Sequence, residues 1–356
     1  MRNLRTSLLA ALLTGAVAHV AAHDFSIIIG GNQLYFNITD TAAHTVMVTY
    51  KGSVVTGLPA ETAGEVEIPQ SVKHRGTTYT VTAIGPKAFS GAVNLTGVVI
   101  PSTVANIGDF AFEGCTNLAR VVFPSAQPTM GQGVFFKCNA LRDISFGSDW
   151  KSIELKAFRW SDSLTTITIP ARVEKLMNMK SLRALTNITV DANNSHFSSD
   201  RGVLYDKSGN TLYGVPRAYA GAMVIRTGTL CVTPGALIDC PYITSIDLPA
   251  TVTAFSFRET SRMSDLREMV FRAPQPPVTA YSDGRGIFLL QIADNDVNIV
   301  VSKDSKKAYA TALTVDPGEY YESMAQGQLP YYVPQSQLPT TKNIKTTKNI
   351  DTYESN

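Results

Sequence analysis

The chain is 356 residues long, 44 % hydrophobic and 17 % charged, so it can bury a core and is not globally disordered. Lysine and arginine total 31 against 29 aspartate and glutamate. That net charge of +2 excludes the strongly basic footprint of a nucleic-acid binder or a polybasic membrane binder.

Arg2 and Arg5 precede an apolar run from Leu8 to Val17, and Val20-Ala21-Ala22 sets small residues before His23-Asp24. This is the order of a secretory signal peptide over residues 1–22. The run is shorter than the ~20 residues of a membrane span. No cysteine follows it to carry a lipid anchor, and no later stretch reads as a transmembrane helix. A secreted or cell-surface location is expected. Residues 23–65 read as a small N-terminal β cap, with a hairpin turn at Gly30-Gly31 between Ile27-Ile28-Ile29 and Leu34-Tyr35-Phe36.

From residue 66 to 275 the chain repeats. The segment Ile107-Gly-Asp-Phe-Ala-Phe-Glu-Gly-Cys-Thr-Asn-Leu118 has sisters beginning at Ile84, Met130 and Ile153, each offset by 23. The apolar strand-end positions are Ile100, Phe123, Phe146, Ile169, Val190, Ile225, Leu248 and Phe271, in steps of 23, 23, 23, 21, 35, 23 and 23. The long step contains an insertion of about 197–213 whose two apolar runs flank Lys207-Ser208-Gly209-Asn210, a hairpin signature. Each unit has an alternating strand, Leu-x-x-Val-x-Phe/Ile, and a second part with Ala, Phe, Cys and Leu at helix-like offsets, read as a turn or short 3₁₀ piece. One unit cannot bury its apolar side alone. Stacking of parallel strands is therefore expected to build a mainly β, curved, right-handed repeat solenoid. Its buried ladders would be Phe89, Phe112, Phe135 and Phe158, and Leu95, Leu118, Leu141 and Leu164.

The pattern Ile-Gly-x-x-Ala-Phe-x-x-Cys-x-x-Leu-x-x-Ile-x-Ile-Pro resembles the BspA-like, or Treponema-pallidum-type, leucine-rich repeat over residues 66–275. The flanks fit the same family. Gly31 to Asp40 resembles its opening β unit, and Asn298 to Lys303 followed by Lys306 to Tyr309 resembles its closing strand and cap helix. The insertion at Gly202 to Lys207 also recurs within it. Departures are Val134 for alanine, Leu237 for phenylalanine, and repeats ending at Val190 and beyond Leu248 that lack the Ala-Phe element. The resemblance implies a secreted or surface-exposed, non-enzymatic binding protein. Adhesion to host or matrix protein or to other cells is the first expectation, and a glycan- or nutrient-capture component is the alternative. Residues 276–334 are expected to form a C-terminal cap, and 335–356, with Thr-Thr-Lys-Asn-Ile twice, a disordered tail.

Strand alternation selects the side chains that face away from the core. Among them Arg120, Asp143, Thr166, Thr168, Asn187 and Asp247 are the candidate partner-binding residues, on a face that reads first as a merely solvated one and second as a binding surface. An extracellular or host protein is the expected partner and a glycan the second choice, with no nucleic acid. Cys115 and Cys138 fall on adjacent units, at a position that holds Ala92 and Ser161 in their sisters. A pair of buried thiols is expected there, and a disulfide is the alternative. His23, His44, His74 and His196 share no metal-ligand spacing, and no phosphate-binding loop or catalytic motif occurs, so no catalytic residue, metal or cofactor is expected. Asp294-Asn295-Asp296 lacks an EF-hand continuation, and Tyr320-Tyr321 and Tyr331-Tyr332 read as part of the cap.

Overall fold

A computed structural model describes residues 23–51, 62–233, 235–237, 239–255, 263–277, 297–313 and 350–353, with backbone alone for 310–313 and 350–353. The expected signal peptide, Asp294 to Asp296 and the two tyrosine pairs lie outside these residues. The described residues fall into two compact units, one within 1–124 and 128–139, the other within 125–127 and 140–356.

The first unit opens with Phe25–Ile29, Asn32–Asp40 and Thr45–Thr49, paired antiparallel in that order. Gly30 and Gly31 join the first two with φ of 59° and 83°, as a two-residue turn with left-handed central positions requires. Thr45–Thr49 then pairs parallel with Thr77–Ile84, which begins a ladder continued by Asn106–Ile107 and Thr129–Met130. A second parallel ladder runs through Gly64–Glu67, Leu95–Val99 and Arg120–Val122, with Val66 beside Val98 and Val98 beside Val121.

Between the ladders lies the Ala-Phe element. In this unit it is a series of turns, the first of the two forms expected. Lys87 N, Phe89 N and Gly91 N donate to Asp109 O, Ala111 O and Glu113 O of the next coil at 3.0, 2.7 and 2.7 Å. The amides between them, Ala88 N, Ser90 N and Ala92 N, bond three residues back within their own coil. The next coil repeats the scheme from Phe110 N, Phe112 N and Gly114 N. Two left-handed residues per coil break the run of helical turns: Lys87, Phe110 and Gly133 at φ 55°, 55° and 57°, and Gly91, Gly114 and Lys137 at 76°, 69° and 61°. Every second amide is thereby turned towards the neighbouring coil, and buried backbone groups are satisfied without regular helix. The rings of Phe89, Phe112 and Phe135 stack inside, with centroids 4.9 and 5.0 Å apart and planes within 2° and 6°.

In the second unit Ser152–Glu154 pairs parallel with Lys175–Met177, and Thr166–Ile169 with Asn187–Val190. Two 3₁₀ turns, Leu155–Phe158 and Met179–Ser181, do occur here. The insertion is a three-stranded antiparallel meander, Phe197–Asp200, Val203–Asp206 and Thr211–Gly214, one strand more than the hairpin expected. Its last strand pairs parallel with Cys231–Val232. Gly221–Val224, Ile243–Leu248, Glu268–Phe271, Asn298–Ser302 and Ile350–Tyr353 make a five-stranded parallel sheet. Four residues of the tail expected to be disordered thus form a strand, because β-branched and aromatic residues in Ile-Asp-Thr-Tyr suit an open sheet edge; the rest of that tail is outside the described residues. The helix Lys306–Leu313 follows Asn298–Ser302. Tyr309, fully buried, points its hydroxyl at Ala273 O and Gln275 O, 3.1 and 3.2 Å away.

Candidate functional site

The candidate residues sit on strands, and each unit presents its own set. In the first unit, Glu65, Gly97 and Arg120 lie opposite one another on three neighbouring strands. The Glu65 carboxylate reaches across Gly97 and accepts from Arg120 Nη1 at 2.7 Å. A Cβ on Gly97 would stand 3.0 Å from Glu65 Cγ, so the glycine makes the space this bridge needs. Both partners are about half exposed, which limits the pair to ~1 kcal/mol or less and leaves it free to rearrange for a ligand.

In the second unit Thr166 and Thr168 are exposed and alternate with buried Ile167 and Ile169. Thr166 stands beside Asn187 and Thr168 beside Thr189, with the two threonine hydroxyls 2.7 Å apart. Asp143 is exposed on its short strand. Asp247 is held differently: Arg272 grips both its oxygens, through Nε and Nη2, each at 2.7 Å. The expected continuous face is interrupted after Asn187–Val190. There the Ile188 amide donates to Gly202 O of the insertion at 3.0 Å, so the turn of the inserted meander occupies the edge that a further parallel strand would use. A Cβ on Gly202 would fall 2.6 Å from Asn187 Oδ1, and Asn187 is accordingly half-buried.

The buried face holds the expected ladder residues. Phe89, Phe112, Phe135, Phe158, Leu95, Leu118, Leu141 and Leu164 are all solvent-inaccessible. Cys115 and Cys138 are buried free thiols, each donating to a carbonyl of the preceding coil: Phe89 O at 3.0 Å and Phe112 O at 3.1 Å. Among the described residues no group of three His, Cys, Asp or Glu side chains is placed to hold a metal ion.

One cluster was not anticipated. Trp160 lies in a turn, with the Arg183 guanidinium over its ring at 3.8 Å from the centroid and that of Arg159 at 5.8 Å. Its position is the one held by Gly91 and Gly114 in sister repeats, and that substitution was the available signal.

The model of the BspA type leucine-rich repeat region matches residues 69–200, in six copies. Residues 69–200 carry BspA-type leucine-rich repeats. No curated protein matches it. Among solved structures it is similar to the pneumococcal vaccine antigen PcpA, at 14 % identity and TM-score 0.48, over 94 % of this chain and 100 % of that one. It is also similar to a leucine-rich cell surface protein of Faecalibacterium prausnitzii, at 20 % identity and TM-score 0.39, over 93 % and 95 %. A third similarity is to the T. pallidum leucine-rich repeat protein, at 18 % identity and TM-score 0.32, over 73 % and 88 %.

The matched BspA-type repeats end at Asp200, in the inserted meander, yet parallel pairing resumes beyond it with Met223 beside Ile246 and Ile246 beside Met269. The cysteine position of these repeats is a core position with a measurable titration. Burial pushes the Cys115 thiol from its ordinary 9.0 up to about 12, and burial, then the neighbouring Cys115, pushes Cys138 up as well. An acid whose pKa is raised on folding keeps its proton in the folded state, so its stabilising contribution is complete below about pH 9 and is lost as pH rises towards 12. We expect the alkaline fall in stability between those values to be shallower in the Cys115→Ala/Cys138→Ala variant, measured by denaturant midpoints. Alanine is tolerated there because Ala92 already fills the position one coil earlier. A profile unchanged by the substitutions would refute the titration.

Proposed function

We propose that the chain is a non-enzymatic, secreted or cell-surface binding protein that holds a partner protein on its outward strand residues, in adhesion to host or matrix protein or to other cells. The observation that carries this reading is the division of labour within each strand. In Thr166–Ile169 the isoleucines are buried and the threonines exposed, and in Arg120–Val122 the central valine is buried while Arg120 is exposed. The repeat's apolar positions are taken up by packing, and its variable polar positions are left to solvent, where they can differ from coil to coil without disturbing the core. The signal-peptide reading of residues 1–22 supports export.

The test is binding of the chain from His23 onwards to an array of matrix proteins and glycans, with one variant for each unit. Arg120→Ala removes the half-exposed cation of the first unit. Asp143→Ala/Thr166→Ala/Thr168→Ala/Asn187→Ala clears the candidate polar residues of the second. Single exposed substitutions of this kind change stability by about 0.5 kcal/mol or less, and because Asn187 is half-buried the melting temperature of the second variant is checked against wild type. Saturable protein binding, weakened at least about tenfold in one of them, is the expected result. Protein binding unchanged in both would overturn the strand-face assignment, and capture of a glycan instead of a protein would replace adhesion by glycan capture.

A further inference from the structure

The strand residues contain no tryptophan, yet tryptophan and arginine are the side chains that most often dominate protein interfaces. The chain has two tryptophans, and they are placed oppositely. Trp150 is fully buried, while Trp160 lies half-buried in a turn with two guanidinium groups against its ring.

Three features of this cluster point the same way. The first is the stacking of Arg183. The Arg183 guanidinium carbon lies 3.8 Å from the indole centroid, the distance of face-to-face stacking, an arrangement that leaves the in-plane N–H donors off the ring, in the fork that matches a carboxylate. The second is charge. Arg159 and Arg183 are both exposed, both lie against one ring, and among the described residues neither forms an ion pair with a carboxylate. Two like charges at one ring repel, and an anion placed between them relieves that repulsion. The third is conformation. Trp160 has φ 67°, in the left-handed region that a bulky residue enters at a cost, and the equivalent residues Gly91, Gly114 and Lys137 show that the turn forms without an aromatic residue there. The turn itself does not call for the indole.

We infer that Arg159, Trp160 and Arg183 form the anchoring point for an acidic segment of a partner protein, with an Asp or Glu carboxylate held by the guanidinium pair. A nucleic acid or a highly sulfated polymer is bound along a track of many cations, whereas this cluster supplies two, on a chain of net charge +2. The inference rests on the reading of the chain as a binding protein but not on the strand face, since none of the three residues lies on a strand.

The probe is a synthetic peptide of alternating glutamate and glycine, titrated into the full chain and followed by Trp160 fluorescence and by calorimetry. Its lysine–glycine counterpart and a heparin oligosaccharide are run as comparison arms. Saturable binding of the glutamate peptide is expected, weakened at least about tenfold in Arg159→Ala/Arg183→Ala. It should be weakened comparably in Trp160→Gly, whose melting temperature stays within a few degrees of wild type because two sister coils carry glycine there, Gly91 and Gly114. The strand-face variants should bind the peptide normally, which separates failure of this site from failure of the strand-face reading. No binding of the glutamate peptide, or equal binding by the wild type and the arginine variant, would overturn the inference. Arginine-dependent binding of heparin with none of the peptide would also overturn it, in favour of a sulfated glycan.

Discussion

Replacing Phe112 by alanine is expected to cost ~3–5 kcal/mol, the range for truncating a buried aromatic residue. Its ring is solvent-inaccessible and has a parallel ring on each side, Phe89 at 4.9 Å and Phe135 at 5.0 Å. The backbone around it cannot collapse into the vacated space. Phe112 N is bonded to Val134 O at 2.8 Å, and Phe112 O accepts the Cys138 thiol at 3.1 Å, so the coil is held at its spacing whatever the side chain. Both neighbouring phenylalanines would lose a stacking partner, and the cavity would remain open. The check is the denaturant midpoint of Phe112→Ala against wild type, with Phe112→Leu as the variant that keeps most of the volume. A midpoint for Phe112→Ala indistinguishable from wild type would show that this ring does not belong to the packed ladder.

The second large effect is expected at Asn194, a polar residue with no solvent exposure. Its side chain makes four hydrogen bonds. Nδ2 donates to Pro170 O and Val173 O at 2.8 and 2.9 Å, while Oδ1 accepts from His196 N and Phe197 N at 2.8 and 2.7 Å. It thereby joins the loop after Thr166–Ile169 to the first residues of the inserted meander. Alanine would strand two amides and deprive two carbonyls of a donor at once. At ~1–3 kcal/mol for each unsatisfied buried group, moderated by water that reaches the site, a loss of ~3–5 kcal/mol is expected. Aspartate keeps the two acceptor bonds but turns a carboxylate oxygen towards the Pro170 and Val173 carbonyls, so it should not rescue. Thermal unfolding of the three forms checks this, and an aspartate variant as stable as the wild type would refute the assigned donor bonds.

The repeat itself was legible because it is written in large side chains. Phenylalanine, leucine and the small cysteine-or-alanine position recur at 23, and no other arrangement buries them all. The strand of each unit was legible for the same reason: alternation at Thr166-Ile167-Thr168-Ile169 has one buried face whatever the neighbouring strand is. The ladder begun by Thr77–Ile84 was not. Asn106–Ile107 and Thr129–Met130 are two residues long, too short to carry a period, and only pairing, of the first with Thr77–Ile84 and of the second with Asn106–Ile107, makes them strands. The left-handed positions were also hidden, because Lys87, Phe110, Lys137 and Trp160 occupy sites where glycine would have announced the turn. At the candidate site, alternation indicated which side chains face outward, but not what they meet. The clasp of Arg272 on Asp247, the bridge from Glu65 over Gly97 and the edge taken by Gly202 all depend on residues that repeat arithmetic does not connect.

The interlocked amides of the Ala-Phe turns have a consequence for how such a chain can change length. Because Phe89 N seeks Ala111 O and Phe112 N seeks Val134 O, adding or losing a few residues inside one of these turns would leave the amides of that coil opposite the wrong carbonyls of its neighbours. Whole coils are therefore the natural unit of gain and loss, each lengthening a ladder by one strand spacing of about 4.8 Å. Length variation in such a ladder should work like a ruler with fixed graduations, in which gain or loss of whole coils adjusts reach in steps while point substitution changes the outward residues one at a time.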